Sequence, residues 1–197
     1  YGCNFNKMKS INKKVLIVSA HRPNRSPSQR FRYEQYIPFL EEHGYKFTYS
    51  FLISKEDDEF FYKQGFYFQK MWVLLKSLFI RWKDLFRANN YGIVFIQREA
   101  LMLGTSFFEK LLAKKKPTLV FDFDDAIWLS NVQGGNKGLS FLKKPKKTKD
   151  IVSVADVVIG GNQYLVDYAK QYCQKVKLIP TTIDLSYHNS QVEESDD

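Results

Sequence analysis

Six short β-rich runs punctuate the chain: Val15–Ala20, Lys46–Ile53, Ile93–Gln97, Thr118–Phe121, Val157–Gly160 and Val176–Ile179. Most intervals between them are long enough for a helix, and Ser28–His43, Phe66–Asn89, Thr105–Lys115 and Asn162–Cys173 carry the helix-forming stretches. Strands that alternate with helices must pair in parallel through right-handed crossovers. The pattern therefore predicts a three-layer, Rossmann-like α/β domain with a mostly parallel, doubly wound sheet. At 197 residues the chain suffices for one such domain and is short for two. The domain is expected over residues 14–188. Residues 1–13 read as a disordered tail, with Met8 as the natural start and the seven residues before it as an extension. Residues 189–197 are polar and acidic, and read as a disordered tail or a severed interdomain linker.

The stretch "TLVFDFDDAIWLS" (118–130) holds the densest chemistry. Thr118–Phe121 is predicted as a buried strand after the breaker Pro117, which leaves Asp122, Asp124 and Asp125 at its carboxyl end. In open α/β sheets that edge is where ligands bind. Three chemistries could use these carboxylates: holding Mg²⁺ for phosphate hydrolysis, holding a metal–nucleotide-sugar complex, or hydrogen bonding to sugar hydroxyls without a metal. The fourth reading is a capped turn with solvated acids.

A dinucleotide fingerprint would need G-x-G-x-x-G after the first strand, and no glycine occurs there before Gly44. The segment instead offers Ser28 as a helix N-cap with Arg30 and Arg32 in the first turn, preceded by His21 and Arg22. Cations in a first turn oppose the helix dipole unless an anion sits there too. The segment thus reads either as a phosphate-capturing loop or as a solvated basic one. With 30 Lys and Arg against 21 Asp and Glu, the net charge of +9 favours an anionic partner such as a phosphorylated ligand or an acidic membrane surface. No helix-turn-helix, finger or RRM pattern accompanies that charge, so no nucleic-acid partner is expected. Gly134–Lys149, glycine-punctuated and lysine-rich, is expected to be mobile and exposed.

Phe66–Asn89 carries too many charges for a bilayer-spanning segment. Core packing is expected for it ahead of an interfacial role for Trp72, Phe79 and Trp82, and the alternative to an enzyme is a non-catalytic basic module that docks on membrane or protein through this segment. Cys3 and Cys173 form no disulfide framework, and no signal-peptide pattern opens the chain. Both features suit the cytoplasm, with peripheral attachment at the inner membrane face compatible with the basic surface.

"VFDFDD" resembles the first motif of haloacid-dehalogenase-type phosphatases, in which the first Asp is the nucleophile and the Asp two residues on is the acid/base. A different resemblance covers nearly the whole chain, from Lys14 to His188. The succession "KKVLIVSA", "YIPFLEEHGYKFTYSFL", "NYGIVFIQREA", "PTLVFDFDDAIW" and "ADVVIGGNQYLVDYAKQYCQKVKLIPTTIDLSYH" resembles the N-terminal domain of group 1 retaining nucleotide-sugar glycosyltransferases of GT-B fold. Ala155–Asp156, Asn162–Leu165, Ile179–Pro180 and Ile183–Asp184 match its closing segment, and Thr181–Thr182 stand where the family has Asn-Gly. The resemblance implies one half of a GT-B enzyme that binds a glycan or lipid-linked acceptor. The nucleotide-sugar donor would be gripped by a C-terminal domain outside this sequence.

Where that family places histidines, this chain has Gln97–Arg98–Glu99 and Phe123–Asp124–Asp125. The implied assignment makes Asp124 and Asp125 catalytic. Arg30, Arg32, Arg98, Glu99 and Asn162 become substrate-binding residues, with no cofactor and no metal. The implied product is a cell-surface polysaccharide or lipid-linked glycan, and the isolated chain is expected to be inactive.

Overall fold

The computed structural model describes residues 12–129 and 146–182. Most of the expected glycine-rich loop, residues 1–11 of the expected N-terminal tail, the end of the expected domain (183–188) and the expected C-terminal tail lie outside them. Within these residues, six strands form one parallel sheet in the order β2-β1-β3-β4-β5-β6. They are β1 (Lys14–His21), β2 (Lys46–Ile53), β3 (Ile93–Gln97), β4 (Thr118–Phe123), β5 (Val157–Gly160) and β6 (Val176–Leu178). The α/β class and the six strands match the sequence expectation, and the sheet is wholly parallel rather than mostly so.

Topology decides which face each helix covers. The β1-to-β2 connection runs one way along the sheet and every later crossover runs the other way. Right-handedness therefore sends the first helices to one face and the rest to the opposite face. Helices α1 (Pro27–Arg32) and α2 (Ile37–Glu42), with a 3₁₀ turn at Glu34–Tyr36 between them, pack with Val15, Ile17, Tyr33 and Ile37. On the other side lie α3 (Lys55–Phe61), α4 (Tyr67–Arg87), α5 (Phe107–Ala113), α6 (Lys146–Val154) and α7 (Gln163–Lys170). The larger core there is built on Leu16, Val18, Val94, Ile96, Leu119, Phe121 and Phe123. On the α1 side, Phe95, Val120, Val157 and Ile159 stay only half-buried. Parallel sheets are normally covered on both faces, so part of this sheet lacks its second layer among the described residues.

Several expectations need correction. The single helix over Ser28–His43 is two short helices, because Pro38 restarts the chain in the first turn of α2. Ser28 is not the N-cap of α1; that position belongs to Ser26, with Pro27 following it. Because α1 ends at Arg32, Arg30 and Arg32 stand in its last turn, where cations suit the dipole. Strand β4 continues through Phe123, so Asp122 lies inside the sheet, paired in register with Gln97 and Ile159. Helix α4 is core on one face only: Val73, Ser77, Arg81, Asp84 and Leu85 are buried while Trp72, Phe79 and Trp82 are exposed.

The end of the lysine-rich stretch also departs from the exposed, mobile expectation. Lys146–Lys149 open α6, and Lys147 is buried. Its ammonium donates to Glu99 Oε2 at 2.6 Å, to the Leu103 carbonyl at 2.6 Å and to the Leu101 carbonyl. A cation that satisfies three acceptors fastens α6 to the loop after β3. Lys147→Met keeps the stem and removes the charge, stranding those acceptors, and should destabilise the domain by about 2 kcal/mol. Urea unfolding measures the loss, and amide exchange should show it concentrated in α6.

Candidate functional site

The strand order reverses between β1 and β3, and in open α/β sheets ligands sit outside the carboxyl ends of the strands at such a point. Alternation along β4 sorts its side chains there. Phe121 and Phe123 stack together in the larger core, at 5.2 Å between ring centroids, and Asp122 between them faces the α1 side. That is where Arg32 arrives.

The Arg32 guanidinium is fully buried and clasps both Asp122 oxygens, through Nε at 3.2 Å from Oδ2 and through Nη2 to Oδ1. Its Nη1 donates to the Ile179 carbonyl just after β6. Burial pushes the Asp122 carboxyl up to about 6, and Arg32 pulls against that rise. One arginine thus joins α1, β4 and the end of β6.

Asp124 and Asp125 follow in the loop, and they differ. Ser28, released from capping, donates its Oγ to Asp124 Oδ2, and the Gln97 amide donates to Ser28 Oγ at 2.9 Å. This relay links β3, α1 and the β4 loop. Asp124 Oδ1 is buried, has no hydrogen-bond partner among the described residues, and lies 3.9 Å from Arg98 Nε. Asp125 is exposed and accepts from Arg98 Nη2 at 2.6 Å. Arg98 has a backbone φ of +65°, a left-handed conformation that is costly for a non-glycine residue. Its N–H donates to the Asp122 carbonyl at 2.8 Å, which holds it in that conformation. Gly161 closes the other side. A Cβ there would stand 3.2 Å from Asp124 Cα, so only glycine allows this approach without a shift.

The structure therefore brings Arg98, Asp124 and Asp125 together. Glu99 points elsewhere, to Lys147. Arg32 pairs with Asp122 and leaves no exposed donor for a phosphate. Arg30 is exposed over the Phe31 ring and makes no ion pair with the aspartates. Asn162 caps α7 by accepting from the Leu165 N–H at 3.0 Å. The preceding basic loop is tied down as well, with Arg22 and Arg25 both on Asp58. Beside it, His21 Nε2 meets the Tyr62 hydroxyl at 3.1 Å, and burial keeps the imidazole below its usual range.

No protein-family model and no curated protein sequence matches the chain.

Three site residues escaped the sequence reading. Ser28 and Gln97 make the relay to Asp124. Trp128 stacks on Tyr168 at 3.7 Å and lies within 6.0 Å of Phe123 and 5.8 Å of the exposed Tyr164. Trp128 stands within the aspartate string itself, so an aromatic beside the acids was the visible signal. The resulting edge offers one buried acceptor oxygen, an adjacent cation and a row of aromatic rings. These are the parts needed to bind a polyhydroxylated molecule with one apolar face.

Proposed function

We propose that this chain is the acceptor-side domain of a retaining glycosyltransferase that moves a sugar from a nucleotide sugar to a glycan or lipid-linked acceptor. The donor would be held by a second domain. One observation carries the reading: among the described residues Asp124 keeps one buried oxygen without a hydrogen-bond partner, 3.9 Å from Arg98 Nε at the switch-point edge, while Ser28 and Gln97 orient the carboxylate through the other. A carboxylate so held accepts a sugar hydroxyl and stabilises positive charge developing at a reacting carbon. The half-covered sheet face on the α1 side supports a further layer or domain packing there. The cytoplasmic face of a membrane would suit such a role. Among the described residues no helix is long and apolar enough to cross a membrane.

The phosphatase reading fares worse on geometry. Its nucleophile would be Asp122, whose two oxygens are both taken by Arg32 inside the sheet. Inversion or attack from that position would require breaking a buried ion pair.

Calorimetric titration of the chain with a panel of oligosaccharides and lipid-linked glycans tests the proposal. At least one acceptor should bind, and Asp124→Asn should weaken it about tenfold or more, while nucleotide sugars bind poorly. Tight nucleotide-sugar binding with no glycan binding would refute it.

A further inference from the structure

Along α4, Phe68, Trp72, Leu75, Phe79, Trp82 and Phe86 recur at alternating intervals of four and three residues. At about 100° per residue they fall within an arc of roughly 80°, a straight row down one side of the helix. All six are exposed, Phe68 by 93% and Phe86 by 81%, and the core-facing residues lie on the opposite side. A row of this length is far from the scattered apolar residues of an ordinary surface. Lys76, Lys83 and Arg87 run along one flank, roughly 60–100° from its centre. Asp84 is the helix's only acid and is buried against Arg81 and Arg87, so the helix exposes no negative side chain.

We propose that α4 is a membrane-docking surface. It lies in the plane of a bilayer carrying anionic headgroups, with the aromatic row among the upper acyl chains and the basic flank at the phosphates. Charge complementarity selects this occupant: the row is flanked by Lys83, by Lys76 paired to Asp57 of α3 and by Arg87 paired to the buried Asp84, and on a chain of net charge +9 this matches a negatively charged lipid surface. Tryptophan is also the side chain that settles best at such an interface. Self-association is less favourable, because an antiparallel pair of these helices would bring the Lys76, Lys83 and Arg87 flanks to the same side. In this parallel sheet α4 runs opposite to the strands, so Phe68 lies toward the edge that holds Asp124. Docking would set that edge beside the bilayer, a consequence that rests on the acceptor reading; the docking itself does not.

The test is flotation of the 197-residue chain with phosphatidylcholine vesicles containing about one-third phosphatidylglycerol, against phosphatidylcholine alone. The chain should float with the anionic vesicles and bind neutral ones at least about tenfold more weakly. Its tryptophan fluorescence should be quenched by lipids brominated in the upper acyl chain. Phe68→Ser/Trp72→Ser/Phe79→Ser, all at exposed positions, should lower binding by a similar factor with an unchanged circular dichroism spectrum. Because quenching is read on the unaltered protein, the test survives a variant that fails to fold. Neither flotation nor quenching, equal binding by the triple variant, or a dimer that the triple variant abolishes would overturn the proposal. The vesicles contain no glycan, so the outcome is independent of the acceptor role.

Discussion

Replacing Arg32 with alanine should destabilise the domain by about 3–5 kcal/mol, a fall in Tm of roughly 10 °C. The reason is the state left behind. Asp122 sits inside the sheet, and without the guanidinium its carboxylate would be buried and unpaired. The loss should depend on pH in a definite direction. With Arg32 present, burial already raises the folded-state value to about 6, above the usual range for an unfolded aspartate, so ionisation opposes folding as pH rises through that value. Removing Arg32 raises it further. The cost of the substitution should therefore be larger at about pH 8 than at about pH 5, where the carboxyl takes up a proton. Arg32→Met combined with Asp122→Leu removes both charges and should recover much of the stability. Urea unfolding at the two pH values checks each part, and a pH-independent loss would mean that the ion pair is not what holds α1 to β4.

The second large effect concerns Asp124 in a protein that carries this domain together with the donor-binding domain that the proposal requires. Asp124→Asn keeps the shape and the Ser28 contact but removes the negative charge. If the free oxygen acts on charge that develops only in the transition state, kcat should drop roughly ten- to a thousandfold with KM little changed. Asp125→Asn should cost much less. Asp125 is exposed, and its partner Arg98 stays anchored through its own backbone N–H. Steady-state kinetics of the two variants separates the roles that the sequence resemblance gave jointly to both residues.

The parts of the fold that were legible share one property: their signal is local. Each buried strand announces itself as an apolar run between breakers, and six such runs separated by helix-length intervals allow little besides a parallel sheet. Helix α3 carries an equally local signal, the reciprocal capping box of Ser54 and Asp57 at its start. Pro38 marked the break between α1 and α2. What stayed hidden depends on partners distant in sequence. Nothing near Arg32 shows that its guanidinium meets a carboxylate on β4, and without that pairing a basic first turn suggests a phosphate site. Lys147 is the same case, a cation in a lysine-rich stretch whose acceptors come from the loop after β3. At the site, the sequence placed Asp124, Asp125 and Arg98 on one edge. Which carboxylate keeps a free oxygen depends on Ser28 and Gln97, brought in by tertiary packing.

Glycosyl transfer, assayed with a panel of nucleotide sugars and lipid-linked acceptors, tests the central claim most directly. The comparison is between this chain and the same domain joined to the donor-binding domain that the proposal requires. On the proposed reading donor and acceptor meet across a cleft between two domains, and that positioning would supply much of the rate. The joined protein should transfer sugar and lose the activity with Asp124→Asn, and this chain alone should be inactive. Robust transfer by the chain alone, or full activity in both the Asp124→Asn and Asp125→Asn variants, would contradict the account.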